Sequence, residues 1–276
     1  MTLARRGLLA SVLGLLGGCS PAALLNTTVS RQGYKLEADI PYGSNPRQKL
    51  DVYTPDQQRA DGKSVIFFYG GSWDSGAKGD YLFVGQALAA RGITTIIPDY
   101  RVYPEVRYPT FLDDGAAATA WAARKVGTDK LFVSGHSAGA YIAIMMVANT
   151  PYLAAAGVDR MKLPGGIGIA GPYDFLPLTS RRLIEIFGGP DRRETQPITY
   201  ARAPLPPILL LHGTTDITVK PFNSERLAEA WRRAGSTAEL KLYPEVDHID
   251  IVGSFSELLR KRAPSLDDTI SFIDRT

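Results

Sequence analysis

Ser137 stands at the centre of Gly135-His136-Ser137-Ala138-Gly139. An apolar, β-prone run, Lys130 to Ser134, precedes this stretch, and a helix-like run, Tyr141 to Val147, follows it. A strand, a sharp turn and a helix in succession hold the apical serine in a strained conformation and turn its hydroxyl outward. Glycines two positions to either side remove side chains that would collide where strand and helix nearly touch. A helix that starts at the serine aims its unpaired N–H groups and positive dipole end at any oxyanion formed there. The chemistry suited to this spacing is attack of a serine oxygen on a carbonyl carbon. The pentapeptide alone also fits a glycine-rich turn whose serine merely caps a helix, so the remaining machinery must be sought elsewhere in the chain.

A serine hydroxyl needs a base to take its proton, and the chain has three histidines. His136 lies inside the turn, directed away from the serine's side, and is read as structural. His212 closes the run Pro207 to Leu211 and shapes the turn before Gly213. His248 lies in the polar loop Tyr243 to His248, after the strand-like Ala238 to Leu242, and is the candidate base. The carboxylate that would orient it is Asp216, just past the carboxyl end of a buried strand, where α/β sheets place their sites. Asp247 and Glu245 are alternatives, but their closeness in sequence to His248 makes good orienting geometry harder. A turn or capping role for Asp216 is the plainer reading. Early in the chain, Val65 to Tyr69 is followed by Gly70-Gly71-Ser72-Trp73. The amides of Gly71 and Ser72, with that of Ala138, are the candidate oxyanion donors.

Taken in order, these segments resemble the α/β-hydrolase carboxylesterases, in the group of hormone-sensitive-lipase-like and bifunctional feruloyl/acetyl xylan esterase-like enzymes. Gln48 to Pro55 is similar to that group's entry strand, and Tyr69 to Trp73 to its His-Gly-Gly-x-Trp oxyanion loop. Asp99 to Glu105, Tyr108-Pro109 and Asp113-Asp114 are similar to its Tyr-Arg-Leu-x-Pro-Glu segment. The likeness spans residues 45–275 and implies an α/β-hydrolase fold with triad order Ser137, Asp216, His248. It implies a serine esterase that forms an acyl-enzyme on a small-molecule ester. Tyr69 departs from the pattern by standing where the group has histidine. The Tyr100-Arg101 and Pro104-Glu105 segment is read as scaffold bracing the oxyanion loop. The same triad would serve a peptidase or a thioesterase, and a catalytically silent envelope binding module is a further alternative.

Strands are expected near 64–69, 93–98, 130–134, 165–170, 207–212 and 238–243. Helices are expected near 80–91, 110–126, 138–149, 221–234 and 254–275. Alternation of this kind gives a mostly parallel central sheet with helices on both faces. The insertion at 172–205, rich in Pro, Arg and Gly, predicts a small helix and loop beside the site, including Phe187 to Pro190, and thus a small cap or none. A short insertion favours short acyl groups. Trp73 and Tyr173 are candidates to line the site or to fill the core.

At the N-terminus, Arg5 and Arg6 precede the apolar run Gly7 to Leu16, a secretory pattern too short to span a bilayer comfortably. Leu16-Gly17-Gly18-Cys19 resembles a bacterial lipoprotein signal, with a plain secretory signal as the alternative. The resemblance implies a signal peptide over 1–18, lipidation at Cys19, a tether over 19–35 and a hydrolase domain over 36–276. With Ser20 it implies a lipid-anchored protein of the bacterial cell envelope, in the outer membrane facing the periplasm. Cys19 is the only cysteine, so no disulfide forms within the chain. Net charge is +3, and removal of residues 1–18 takes two arginines and no acids, leaving +1. That balance is no nucleic-acid footprint. No Cys, His and acid cluster has metal-ligand spacing and no phosphate-cradling Gly-rich motif occurs, so neither metal nor cofactor is expected. No sequence feature indicates an oligomeric state.

Overall fold

Runs such as Val65 to Phe68 and Ile208 to Leu211 are apolar at every position, which suits strands covered on both faces. A computed structural model of the chain describes residues 25–276. It contains an eight-stranded sheet in the order β1-β2-β4-β3-β5-β6-β7-β8. The strands are β1 (Tyr34–Pro41), β2 (Lys49–Pro55), β3 (Ser64–Phe68), β4 (Thr94–Pro98), β5 (Leu131–His136), β6 (Gly166–Ile169), β7 (Ile208–Gly213) and β8 (Ala238–Tyr243). The two antiparallel pairs are β1 with β2 and β2 with β4, and every pair from β4 to β8 is parallel. This is the mostly parallel sheet that the alternating pattern predicts, in the α/β-hydrolase architecture that the resemblance implies.

The helices are α1 (Leu82–Ala89), α2 (Thr110–Val126), α3 (Ala138–Ala148), α4 (Thr150–Ala155), α5 (Arg181–Phe187), α6 (Phe222–Arg233), α7 (Asp250–Gly253) and α8 (Ser265–Arg275). The direction of winding reverses at β3, because β4 lies on one side of it and β5 on the other. Crossovers between parallel strands are right-handed, so α1 covers one face and α2, α3 and α6 cover the other. The crevice beyond the carboxyl ends of β3 and β5 is therefore a topological switch point, the usual ligand position in such sheets. Every residue of α3 is buried, as expected of a helix apolar all round.

Three expectations need correction. The strand β1 starts at Tyr34 and was not foreseen: it is an antiparallel edge, only partly buried, and a bulge between Glu37 and Ile40 breaks its alternation. The expected tether over 19–35 is part of the fold at Leu25, Asn26 and, in β1, Tyr34 and Lys35. Leu25 is buried in the core, and the Asn26 side chain accepts from Phe83 N–H and donates to the Gly79 carbonyl, tying down the start of α1. Residues 1–24, on which the expected signal peptide and Cys19 fall, lie outside the described residues. The helix expected over 254–275 is a turn region after α7, followed by α8. Arg260 holds the turn by donating to the carbonyls of Ser254 and Phe255, and Pro264 directly precedes α8.

Candidate active site

At the turn between β5 and α3, Ser137 has φ 55° and ψ −122°, a strained conformation for a residue with a side chain. The flanking glycines are sterically required. A Cβ on Gly135 would lie 2.3 Å from the Gly139 carbonyl oxygen, and one on Gly139 would lie 2.0 Å from that of Phe68. The turn is held to the next strand, since Ser137 N–H donates to the Ile169 carbonyl at 2.9 Å.

His248 reaches this point from the loop after β8. Its Nε2 lies 2.9 Å from Ser137 Oγ, and its Nδ1 lies 2.7 Å from Asp216 Oδ2. Asp216 sits just past β7, in the loop predicted for it. Its Oδ1 accepts from the N–H groups of Thr218 and Val219, both at 2.9 Å. Burial pulls the Asp216 carboxyl upward, but the two imidazoles of His212 and His248 and the Val219 N–H outweigh it and hold it well below the usual carboxylate range. Both acceptors on a carboxylate can only receive, so His248 Nδ1 carries a proton and Nε2 is left free to take one from serine.

His212 does more than shape its turn. Its Nε2 donates to the Val219 carbonyl at 2.9 Å and lies 3.3 Å from Asp216 Oδ2, while Nδ1 meets Ser224 Oγ at 2.7 Å. Its position four residues before Asp216 was the available signal for this support. His136 is buried beneath the site, bonded to Tyr81 and to the His248 main chain.

The oxyanion candidates divide. Ser72 and Ala138 line a cavity of about 470 Å³ together with Ser137. Gly71 is not among the lining residues. It shapes the loop: its φ is 139°, and its carbonyl accepts from the N–H groups of Asp74 and Ser75 and from Ser75 Oγ. Among the described residues, no protein acceptor is bonded to the N–H groups of Gly71, Ser72 or Ala138. The loop is braced from behind. Tyr100 donates its hydroxyl proton to the Tyr69 carbonyl, and Tyr103 N–H donates to the Trp73 carbonyl, both at 2.8 Å. Tyr69 turns its hydroxyl to Arg47 Nη2 at 3.0 Å, and the same guanidinium donates to the carbonyls of Tyr100 and Gly76. Arg47 was not singled out from sequence, because its partners lie more than twenty residues away.

The insertion between β6 and β7 forms one wall. Ser180 caps α5 and Gly188 ends it in the left-handed conformation. Phe175, Leu183 and Trp73 line the cavity, and the Trp73 ring lies edge-on to Phe187 and Tyr141. Tyr173 is a core residue instead, fully buried beside Gly168 and Gly171.

Comparison with known proteins agrees with this architecture. The BD-FAE family profile matches residues 50–231, about two thirds of the chain. The chain is 30% identical to esterase LipC of Mycobacterium tuberculosis, over 69% of this chain and 54% of that protein. It is 27% identical to isoprenylcysteine alpha-carbonyl methylesterase ICME of Arabidopsis thaliana, over 79% of this chain and 57% of that protein. The chain thus spans little more than half the length of these curated relatives. Among solved structures, a truncated carbohydrate esterase from gut microbiota superposes with a TM-score of 0.76 at 19% identity, covering 90% of this chain and 98% of that one.

Proposed function

The chain belongs to the BD-FAE family, and from that premise we propose that it is a serine carboxylesterase acting on short-acyl esters. The single observation that carries this reading is the continuous contact from Ser137, which lines the cavity, through His248 to Asp216. In the proposed reaction His248 takes the Ser137 proton as the oxygen attacks the ester carbonyl. The N–H groups of Ser72 and Ala138 receive the oxyanion, with Gly71 holding the loop that presents Ser72. His248 then protonates the leaving alcohol, and water attacks the acyl-enzyme with the same base. Asp216 keeps the imidazole in the required tautomer. Metal and cofactor have no part in these steps. The short-acyl preference is supported by the short β6–β7 insertion and by the aromatic wall that Trp73 and Phe175 give the cavity, backed by the buried Phe187.

The test is hydrolysis of p-nitrophenyl esters from acetate to decanoate by the wild type, Ser137→Ala and His248→Ala. Turnover should fall with chain length and vanish in both variants without loss of fold by circular dichroism. Wild-type turnover in either variant would sink the assignment. From the sequence alone we further propose that the protein is lipid-anchored in the cell envelope through Cys19. Labelled palmitate should enter the wild type but not Cys19→Ala.

A further inference from the structure

His136 takes no part in the proposed proton transfers, yet it is buried among the groups that do. Its Nε2 lies 2.9 Å from the His248 main-chain oxygen, and its Nδ1 lies 2.9 Å from Tyr81 Oη. The Tyr81 oxygen in turn accepts from Gly70 N–H at 3.2 Å. A carbonyl can only accept, so Nε2 of His136 carries the proton and Nδ1 is bare. The Tyr81 hydroxyl must then donate to Nδ1, and its lone pair receives the Gly70 amide. The direction of every bond in the chain is thereby determined. Its first member adjoins the oxyanion loop, its last is the backbone of the base, and His136 itself adjoins Ser137.

The chain is also closed to solvent, with Tyr81 6% and His136 2% exposed. Burial, and then the nearby His248, push the His136 imidazole well below its ordinary value, which keeps it neutral. There is no spare room around it. A Cβ on Gly70 would come to 3.0 Å from Ser137 Cβ and to 3.1 Å from both His136 Nδ1 and Tyr81 Oη.

We propose that Tyr81 and His136 are positioning residues whose directed hydrogen-bond chain sets the distance between the oxyanion loop and the base loop. The inference rests on the assignment of Ser137 and His248 as nucleophile and base. It deepens that assignment by naming what holds the two halves of the site in register. Neither residue touches substrate, so loss of either should act on kcat through misplacement of groups that do.

The experiment measures kcat and KM on p-nitrophenyl acetate for the wild type, Tyr81→Phe, His136→Leu and His136→Gln, with the thermal midpoint of each. Tyr81→Phe and His136→Leu should lower kcat about ten- to a hundredfold, with KM changed by less than about twofold. His136→Gln keeps an N–H where Nε2 stood and should recover part of the loss. Imidazole 15N spectra of the wild type should show His136 with a protonated Nε2 and a bare Nδ1. Unchanged kcat in Tyr81→Phe, a protonated Nδ1, or Gln no better than Leu would each overturn the inference. If His136→Leu does not fold, Tyr81→Phe and the spectrum decide. A wild type with no Ser137-dependent turnover and no fluorophosphonate labelling would remove the functional reading, and the imidazole spectrum would then judge the chain by itself.

Discussion

His212 Nε2 lies 3.3 Å from the same Asp216 oxygen that His248 holds at 2.7 Å. With two backbone N–H groups on the other oxygen, the carboxylate meets donors on every side. An amide in its place would turn an NH2 toward one of those donors. Asp216→Asn should therefore lower kcat by about three to four orders of magnitude, since the His248 tautomer is no longer enforced. Steady-state kinetics beside a urea titration of the same variant would separate this from loss of fold.

Stability should fall in mild acid because of His136. Its folded value is depressed well below the ordinary 6.5, so below 6.5 the unfolded chain binds a proton that the native state refuses. The contribution is complete above 6.5 and is lost progressively as pH falls toward the native value. Asp216 acts in the same sense lower down, its contribution being lost only as pH drops below its ordinary 3.8. Urea midpoints from roughly pH 8 to pH 5, the ordinary histidine range, should decline more steeply for the wild type than for His136→Gln. Parallel curves would contradict the neutral, buried imidazole.

The oxyanion loop should not accept a side chain at Gly71. A Cβ there would lie 2.3 Å from the Ser75 carbonyl oxygen, at a φ that L residues avoid. Gly71→Ala should displace the Ser72 N–H and reduce kcat by about two to three orders of magnitude. The thermal midpoint of the variant should drop as well, because the loop is anchored by the buried Trp73. Retained kcat would remove this loop from the mechanism.

Acyl length should respond to Phe175. Its ring stacks near Trp73 at 6.1 Å and is only partly buried, so its removal widens the cavity without opening the core. Phe175→Ala should raise the decanoate-to-acetate ratio of kcat/KM about tenfold, of the order that pocket contacts discriminate. No change in the ratio would place the acyl group on another wall.

What could be read from the sequence follows from how local its causes are. Parallel core strands such as Ile208 to Leu211 are apolar throughout, and the glycines around Ser137 are demanded by a turn five residues long. Both signals are complete within a short window. The edge strand β1 escaped because half-exposed alternation with a bulge has no distinct period. The packing of Leu25 and Asn26 escaped because their partners lie more than fifty residues on. The same is true of the support around the site. Tyr81, His136 and His248 are joined across spans of 55 and 112 residues, which no motif records.

The segment between β6 and β7 supplies Phe175 and Leu183 to the cavity wall but no member of the Ser137, His248 and Asp216 set. It is moored by single side chains, Asn223 receiving the N–H groups of Tyr173 and Asp174 and Gln196 that of Phe175. The proposed reacting groups and this wall of the cavity thus reside on separate pieces of chain. A mutational library confined to 174–183 can explore new substrates while the glycines at 70, 71, 135 and 139 are left untouched, so this scaffold is evolvable along one wall and frozen along its floor.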